Sequence, residues 1–380
     1  MDFGFTEEHR QLRKTIRAFT EAEMLPHVME WDESQVFPVD IFKKLGDLGV
    51  LGAVFPEDLG GSGYSYVDYS ILVEELARVD PSIALSIAAH VSLCSNHIFL
   101  AGNDEQRQQY IPGLAAGKTI GAWALTEPES GSDAGGTRTA AVRQGDCWVL
   151  NGSKTFITNA HIADVFVVMA MTDRAQASHG ISAIVVEKNT PGFRTGKKEN
   201  KLGMRCSPTG ELIFADCRVP AANLIGKQGE GFIGSPRVLD GGRISIAALS
   251  VGVAQGAYEA SLKYSKQRKQ FGRSISEFQA IQNKLADMAT EIDAARLLTL
   301  RAAWMKDTGA GVNKESSMAK LYASEVAVRV ANEAVQIHGG YGFIKDYPVE
   351  KFYRDAKLCT IGEGTSEIQR LVIARQLLKS

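Results

Sequence analysis

The spacing of apolar residues changes twice along this chain, and this change restricts the possible fold more than any other feature. The N-terminal part has helical spacing, with Leu12, Ile16 and Phe19 on one face. In the middle, short runs rich in valine, isoleucine and aromatic residues are bounded by glycine, asparagine and aspartate, which is typical of β-strands. Helical spacing then returns. We therefore predict three domains: an N-terminal α-helical domain over 1–120, a β-sheet domain over 121–235 and a C-terminal helical bundle over 236–380.

The β runs of the middle zone follow one another without helix-length segments between them. This arrangement favours an antiparallel sheet or barrel over the parallel sheet of nucleotide-binding folds. The dipeptide Asn151-Gly152 is typical of a two-residue hairpin turn. In the last zone Met288, Ile292 and Ala295 step by three and four residues, as in the long helices of a four-helix bundle. The predicted fold class is α+β with several domains.

Composition excludes several functional classes. The net charge is -2 over 380 residues, with acids and bases interspersed, so no basic surface indicates a nucleic-acid partner. The first 25 residues contain five acidic residues and resemble neither a secretory signal nor a transit peptide. We therefore expect a cytoplasmic protein, although a mature mitochondrial protein would fit the same observation. The low-charge stretch 81–102 contains histidines, an asparagine and serines, which predicts a buried core helix rather than membrane insertion.

Cysteine and histidine usage provides no sign of a disulfide framework or a metal centre. The five cysteines are scattered, with no C-x-x-C pair, and the seven histidines form no H-x-x-x-H pair. We expect no metal ligands and a reducing compartment.

One acidic residue, Glu363, lies between two glycines in the stretch TIGEGTSEIQR, immediately before an apolar helical pattern. Two interpretations fit the local sequence. The first is structural, since Ser366-x-x-Gln369 matches a capping box and acids are favoured near helix N-termini. The second is a catalytic carboxylate on a loop with little steric bulk. The local sequence does not decide between them.

Other segments contain residues that suit ligand binding, but a purely structural role fits them equally. WALTEPESGSD runs from a β segment into a loop with hydroxyls at Thr126 and Ser132, which suits a polar ligand or a simple turn. Phe156 and Thr158 pair an aromatic ring with a hydroxyl at a strand end. The match of residues 229–234 to G-x-G-x-x-G lacks a preceding buried strand, so it does not indicate a dinucleotide site.

Two further segments lie at predicted helix ends. Arg268 and Phe271 place a guanidinium and an aromatic ring together, which suits phosphate binding and stacking, although solvated side chains fit equally. Gly339 and Gly340 follow a helical pattern, where glycine is also the usual C-terminal stop.

In this order along the chain, a set of motifs resembles the acyl-CoA dehydrogenase family across nearly the whole sequence: WALTEPESGSD, FITNA, KLGMRCSPTGEL, GEGF, RKQFG, FQAIQNKLADMA, QIHGGYGF, YRDAK and IGEGTSEIQRLVIAR. The resemblance implies a FAD-dependent enzyme that oxidises an acyl-CoA thioester to the trans-2-enoyl-CoA. Glu363 matches the base that removes the α-proton, while flavin N5 takes the β-hydride. It also implies an electron-transferring flavoprotein as acceptor and a homotetramer.

The same resemblance implies the binding residues. The flavin contacts match Trp123, Leu125, Thr126, Ser132, Phe156 and Thr158. The pyrophosphate and adenine contacts, partly across a subunit boundary, match Arg268, Phe271, Gln279, Gln336, Gly339 and Gly340, and Thr365 and Glu367 belong to the FAD site as well. The CoA thioester and its pantetheine arm match Ser132, Asp240, Arg243 and Gly364.

Three positions depart from common family patterns. Some members carry the base where this chain has Gly242, which leaves Glu363 as the base. Phe156 replaces a frequent tryptophan, and Gly362 replaces an aromatic residue that precedes the base in many straight-chain members. The bare Gly362 removes a wall of the acyl pocket and leaves room for a branched or cyclic acyl group, unless neighbouring side chains fill that space. Acyl chain length is therefore not predicted. Two alternative functions are an acyl-CoA oxidase that uses oxygen and a catalytically silent protein that binds acyl-CoA or flavin.

Overall fold

The computed structural model describes residues 4–379, without the side chains of residues 232–236. The ends of the first and last predicted domains, and part of the Gly229–Gly234 motif, therefore lie outside the description. The N-terminal region is helical, as predicted. Its helices are α1 (Glu7–Phe19), α2 (Val28–Ser34), α3 (Val39–Asp47), α4 (Tyr66–Val79), α5 (Pro81–Ala88), α6 (Asn96–Ala101) and α7 (Asp104–Ala115).

Local sequence signals explain where these helices begin. Ser65 caps α4, and its hydroxyl accepts from the Asp68 backbone while the Asp68 carboxylate accepts from the Ser65 backbone. Asp80 caps α5 through the backbone N–H of Ser82, with Pro81 at the first helical position. One helical run, Pro81–Ala101, is long and apolar enough to cross a membrane, but 89% of its most apolar window is buried inside the protein. The prediction of a buried core helix is confirmed.

The middle region is a mixed, mainly antiparallel sheet. The strands are β1 (Gly121–Ala124), β2 (Ala140–Gln144), β3 (Cys147–Thr158), β4 (Val165–Met171), β5 (Ile181–Glu187), β6 (Phe193–Lys198), β7 (Thr209–Pro220) and β8 (Leu224–Ile225). Their order in the sheet is β6-β7-β3-β2-β4-β5-β8, with β1 beside β4. Strand β1 runs parallel to β4, and the other extended pairings are antiparallel. This sheet confirms the predicted β domain.

The predicted hairpin turn at Asn151-Gly152 is wrong. Both residues lie inside β3, at a shift of register against β7. The Asn151 carboxamide bonds both the backbone and the side chain of Asp216, which closes the bulge. A side chain at Gly152 would meet the Thr139 backbone at 2.7 Å, so glycine is needed for a close approach of two chains rather than for a turn.

The C-terminal region is helical again. Its helices are α8 (Gly231–Gln267), α9 (Gln279–Asp307), α10 (Asn313–His338), α11 (Val349–Cys359) and α12 (Ser366–Leu377), with a short hairpin of β9 (Lys269–Gln270) and β10 (Arg273–Ser274) before α9. Helices α8, α9 and α10 pack against one another, α11 packs on α8 and α10, α12 packs on α10, and α8 also contacts α4 of the N-terminal region. The predicted core positions Met288, Ile292 and Ala295 are buried. The fold class is confirmed, and the boundaries at 120 and 235 stay predictions.

Candidate active site

The candidate base lies on the short loop between α11 and α12. Glu363 has a left-handed backbone, with φ of 52°, and Gly364 follows with φ of 94°. A non-glycine residue in this conformation is strained and persists only where its surroundings hold it. The residue as a whole is half-buried, but its Oε2 atom is shielded from solvent and has no hydrogen-bond partner among the described residues. An unpartnered carboxylate oxygen is free to accept a proton from a ligand.

The loop carbonyls are held from two helices. Lys320 of α10 donates from Nζ to the Gly364 carbonyl at 2.7 Å. Gln369 of α12 donates from Nε2 to the carbonyls of Glu363 and Gly364 at 3.1 and 3.0 Å. These three hydrogen bonds hold the strained loop against α10 and α12.

The predicted capping box at Ser366 and Gln369 is wrong. The N-cap is Thr365, whose hydroxyl accepts from the backbone N–H of Ile368 at 3.3 Å. Ser366 is already the first helical residue, and the Gln369 amide reaches the loop carbonyls instead of returning to the cap backbone. A threonine one position earlier can make the same N-cap contact, and the sequence pattern does not show which hydroxyl is used.

The two glycines beside Glu363 have different physical roles. At Gly364 a side chain would meet Gln369 Nε2 at 2.7 Å on an already left-handed backbone, so glycine is required. At Gly362 a side chain would make only ordinary contacts, the nearest with the Leu358 carbonyl at 3.6 Å. The backbone therefore does not demand glycine at Gly362, and a Cβ there would fit against Leu358 without a clash.

Burial sets the acidity of Glu363. Desolvation raises the pKa of its carboxyl from 4.5 to about 7, while the charges of Lys320 and Arg243 act in the opposite direction. The carboxylate lies directly over Gly242 of α8, where any Cβ would overlap Oε2. A side chain at Gly242 and the observed position of Glu363 are thus mutually exclusive.

The predicted thioester-side residues Asp240 and Arg243 lie together on α8. Both are buried, and Arg243 Nη1 donates to Asp240 Oδ1 at 3.2 Å. The same Oδ1 atom accepts from Asn313 and Ser316 at 3.1 and 3.2 Å. Arg243 Nε has no partner within the described residues, so this guanidinium retains a donor for a ligand. The structure brings this pair close to Glu363, where the charge of Arg243 opposes part of the rise in the pKa of Glu363 that burial causes.

The predicted flavin contacts lie where β1 ends beside β3. The backbone N–H of Thr155 donates to the Thr126 carbonyl at 2.9 Å, which places residues 123–126 next to 156–158. Trp123 is buried and donates from its indole to His97 Nδ1 at 2.9 Å. Phe156 is 64% exposed, with φ of 57°. Leu125, Thr126 and Thr158 are half-buried, and Ser132 is exposed on the following loop.

A buried cation, Lys154 of β3, lies beside the predicted flavin contacts. Its Nζ donates to the Leu125 carbonyl at 2.8 Å and to Glu127 Oε1 at 2.7 Å. Glu127 further accepts from the backbone N–H groups of Arg138 and Thr139 at 2.7 and 3.0 Å. The ion pair therefore fixes the main chain around the predicted flavin contacts.

The predicted pyrophosphate and adenine contacts lie on the outside of the protomer. Arg268, Gly339 and Gly340 line a cavity of about 510 Å³, with the Arg268 guanidinium 5.3 Å from the centre of the Tyr341 ring. Gly339 is also the C-cap of α10, with φ of 59°. The remaining contacts are exposed: Phe271 at the tip of the β9–β10 hairpin, Gln279 and Gln336.

A second cavity, of about 390 Å³, is lined by Thr365, Glu367 and neighbouring residues of α10 and α11. It shares no lining residue with the Arg268 cavity. Within one protomer, the predicted FAD residues thus form three separate groups. A guanidinium lining a cavity and exposed aromatic and amide side chains suit the phosphates and the base of a dinucleotide-like cofactor.

Sequence reasoning missed Lys154 and Lys320. Both are fully buried, and each donates to a carbonyl of the candidate site. The available signal for Lys320 was its place among the small residues of α10, where Ser316, Ala323 and Ala327 line the buried face. A lysine on such a face is unusual, because lysine is rarely buried without a partner.

Comparisons with known proteins agree with this architecture. The chain matches three domain families, described as the N-terminal, middle and C-terminal domains of acyl-CoA dehydrogenase, over residues 6–118, 122–217 and 229–378. A relative from Bacillus subtilis, named probable acyl-CoA dehydrogenase YngJ, is 51% identical over the full length of both chains.

Two solved structures superpose on the whole chain. Butyryl-CoA dehydrogenase from Megasphaera elsdenii is 44% identical with a TM-score of 0.98, and each chain is covered completely. A chain from a structure described as an electron-transferring flavoprotein of Acidaminococcus fermentans is 48% identical with a TM-score of 0.99, again with complete coverage of both chains. The protein belongs to the acyl-CoA dehydrogenase family. It is a FAD-dependent oxidoreductase that acts on a CH–CH group.

Proposed function

We propose that Glu363 is the base of an acyl-CoA dehydrogenation, removing the α-proton of the thioester on the way to the trans-2-enoyl-CoA. One observation carries this assignment: a shielded, unpartnered carboxylate oxygen whose pKa burial raises to about 7. A base with a pKa near the operating pH is effective because it is deprotonated before the reaction and still basic enough to take a proton. When bound, FAD supplies the acceptor for the β-hydride.

The main chain and α8 position the thioester in this proposal. As its α-proton leaves, the thioester oxygen gains negative charge, and the backbone N–H of Glu363 is the proposed donor to that oxygen. Gly364 has no side chain and a left-handed backbone, so the thioester can approach the main chain closely at this point. Asp240 and Arg243 bind the CoA portion, with the free Nε of Arg243 as a donor. Ser132 contacts both the flavin and the substrate from its exposed loop.

The FAD site combines the three groups of residues from more than one protomer of a homotetramer. We place the flavin ring against the β1–β3 group and the pyrophosphate and adenine at the Arg268 cavity and the exposed residues around it. The members are Trp123, Leu125, Thr126, Ser132, Phe156 and Thr158 in the first group, Arg268, Phe271, Gln279, Gln336, Gly339 and Gly340 in the second, and Thr365 and Glu367 in the third.

The proposed physiological acceptor is an electron-transferring flavoprotein. Support comes from the close similarity to a chain in the Acidaminococcus fermentans structure. The proposed location is the cytoplasm, which fits five cysteines that all remain free thiols. The three proposed domains are 1–120, 121–235 and 236–380.

Glu363→Gln is the direct test of the base. The variant should bind FAD and acyl-CoA but lose far more than about 10²-fold in the rate of flavin reduction, since proton removal depends on this carboxylate. Anaerobic bleaching of the flavin absorbance by acyl-CoA measures that rate. Glu8→Gln, an exposed carboxylate on α1, is the control and should behave as the wild type. Normal bleaching in Glu363→Gln would exclude Glu363 as the base.

The proposed substrate is a short-chain acyl-CoA, as the name of the Megasphaera elsdenii butyryl-CoA enzyme suggests. A panel of straight, branched and cyclic acyl-CoAs tests this with the same bleaching assay. Butyryl-CoA should reduce the flavin fastest. Preference for a branched or cyclic thioester would instead show that the space beside Gly362 is used by the substrate.

A further inference from the structure

Lys320 is a buried cation without a partner carboxylate in contact. It lies on α10, is fully buried, and donates to the Gly364 carbonyl at 2.7 Å. Two other lysines are equally buried, but each has a carboxylate beside it. Lys154 pairs with Glu127 at 2.7 Å, and Lys351 pairs with two aspartates at 3.0 and 2.6 Å. Among the described residues, Lys320 has no ion pair of this kind.

An unpaired buried ammonium is costly, because desolvation penalises the charged form. Such a group therefore calls for an explanation from its surroundings. The titratable and charged groups that act on Lys320 come from every element around it: Cys359 at the end of α11, Glu363 on the loop, Arg243 on α8 and Glu367 on α12. Glu363 in turn is influenced by Lys320 and Arg243, and it acts on Tyr69 of α4. Glu367 is exposed, so Glu363 is the desolvated carboxylate in this group.

The hydrogen bond of Lys320 reaches the residue next to the base. Glu363 and Gly364 both have left-handed backbones, and such a turn needs external support. Gln369 also donates to these carbonyls, but it is neutral. Lys320 is thus the one of the two supports that also brings a charge.

We propose that Lys320 is a positioning residue for Glu363. Lys320 holds the loop through the Gly364 carbonyl, and its positive charge favours the carboxylate form of Glu363, which accepts the substrate proton. This rests on the proposed role of Glu363 as the base. Since Lys320 does not touch the reacting atoms in this arrangement, its effect is on the geometry and ionisation of the base.

The acidities of the two groups are consistent with this role. Burial lowers the pKa of Lys320 from 10.5 to about 8, and burial raises the pKa of Glu363 to about 7. Between these two values the ammonium and the carboxylate coexist. Below this window Glu363 takes up a proton, so proton abstraction should fall as the pH decreases through about 7.

Two variants of Lys320 separate the charge from the hydrogen bond. Lys320→Met removes both, whereas Lys320→Gln keeps an N–H donor in the same region and removes only the charge. The readout is the pKa of Glu363 in the holoenzyme, taken from the infrared C=O stretch of its protonated carboxyl. The band is assigned by subtracting the spectrum of Glu363→Gln at each pH.

Both variants should raise the pKa of Glu363 by about one unit or more, the usual effect of losing a nearby opposite charge. The acid limb of the pH profile of flavin reduction should move upward by the same amount. Lys320→Met should additionally raise the KM for acyl-CoA, since the loop loses one of its supports. Lys314→Met, on the same helix but partly exposed and beside Glu315, is the control and should leave the pKa of Glu363 unchanged.

An unchanged pKa of Glu363 in Lys320→Gln would overturn the proposal, and this outcome remains decisive if Lys320→Met fails to fold. A shift of equal size in Lys314→Met would also overturn it, because the effect would then reflect net charge alone. The infrared titration does not depend on turnover. If Glu363 is not the base, normal flavin reduction by Glu363→Gln reveals that failure separately.

Discussion

Lys154 of the β domain and Lys320 of the helical bundle are both fully buried, and each donates to a carbonyl of a segment assigned to the site. Their electrostatic settings differ. Lys154 has Glu127 at 2.7 Å, so the cation and its counter-ion form a closed pair. Lys320 has a neutral carbonyl as its hydrogen-bond partner, with Glu363 as the desolvated carboxylate under its influence.

The acids beside these lysines shift in opposite directions. Burial opposes ionisation at both. At Glu127 the charge and hydrogen bond of Lys154, together with the hydrogen bonds from Arg138 and Thr139, outweigh burial and lower the pKa of that carboxyl. At Glu363 burial dominates and raises the pKa to about 7. Contact with an ammonium produces a fixed carboxylate that supports the fold, whereas an ammonium without that contact leaves the carboxylate able to exchange protons.

The largest contrast should appear in stability. Lys154→Met should lower the free energy of unfolding by about 3–5 kcal/mol, because it leaves the Glu127 charge buried without its partner. Lys320→Met should change it by no more than about 1 kcal/mol, because the lost hydrogen bond is offset by removal of an unpaired buried charge and the Gly364 carbonyl keeps Gln369. Chemical unfolding of the two variants at neutral pH measures the difference. A second change, Glu127→Gln in the Lys154→Met background, should restore part of the loss, and equal losses in the two single variants would contradict the contrast.

The next contrast is in the pH dependence of stability. Glu363 has a folded pKa above its unfolded value, so its ionisation costs stability as the pH rises from 4.5 to about 7. Glu363→Gln should therefore match the wild type in acid and exceed it at pH 8, by at most about 3 kcal/mol. Glu127 has a lowered folded pKa, so Glu127→Gln should be less stable than the wild type at neutral pH and approach it in acid. Thermal unfolding of both variants and the wild type over this pH range measures these stability differences. The same pH dependence of the difference in both variants would contradict the prediction.

A smaller effect should follow from filling the space next to the base. Gly362 tolerates a side chain, whereas Gly364 does not. Gly362→Tyr should lower kcat/KM for a branched acyl-CoA relative to butyryl-CoA by about 10- to 200-fold, the usual range for a contact in an apolar pocket. The ratio of the two kcat/KM values is the measurement. An unchanged ratio would mean that the acyl chain does not pass this position.

The smallest expected effect concerns the start of α12. Thr365→Ala should destabilise the protein by about 1 kcal/mol through loss of the N-cap bond. Ser366→Ala should have almost no effect, because Ser366 Oγ makes no hydrogen bond within the described residues. A larger loss of stability in Ser366→Ala than in Thr365→Ala would instead support the capping box that the sequence pattern predicted.

Much of the fold was predictable because periodicity reports which faces of an element are buried. The change from helical spacing to β spacing and back located the three regions, and motif order indicated the family and its base. Local patterns were less reliable. Asn151-Gly152 fits both a hairpin turn and a bulge, and Thr365 and Ser366 fit the same cap, so the neighbouring chain decided each case.

The sequence by itself determined the order of the helical and β regions, the family and Glu363 as the candidate base. Only the tertiary structure decided how that base ionises. Lys320 and the Gly364 carbonyl are 44 residues apart, and Lys154 and Glu127 are 27 apart. Local sequence patterns report neighbours within a turn of helix or one strand pair, whereas burial and charge at Glu363 depend on groups that only the packing of α8, α10 and the loop brings together.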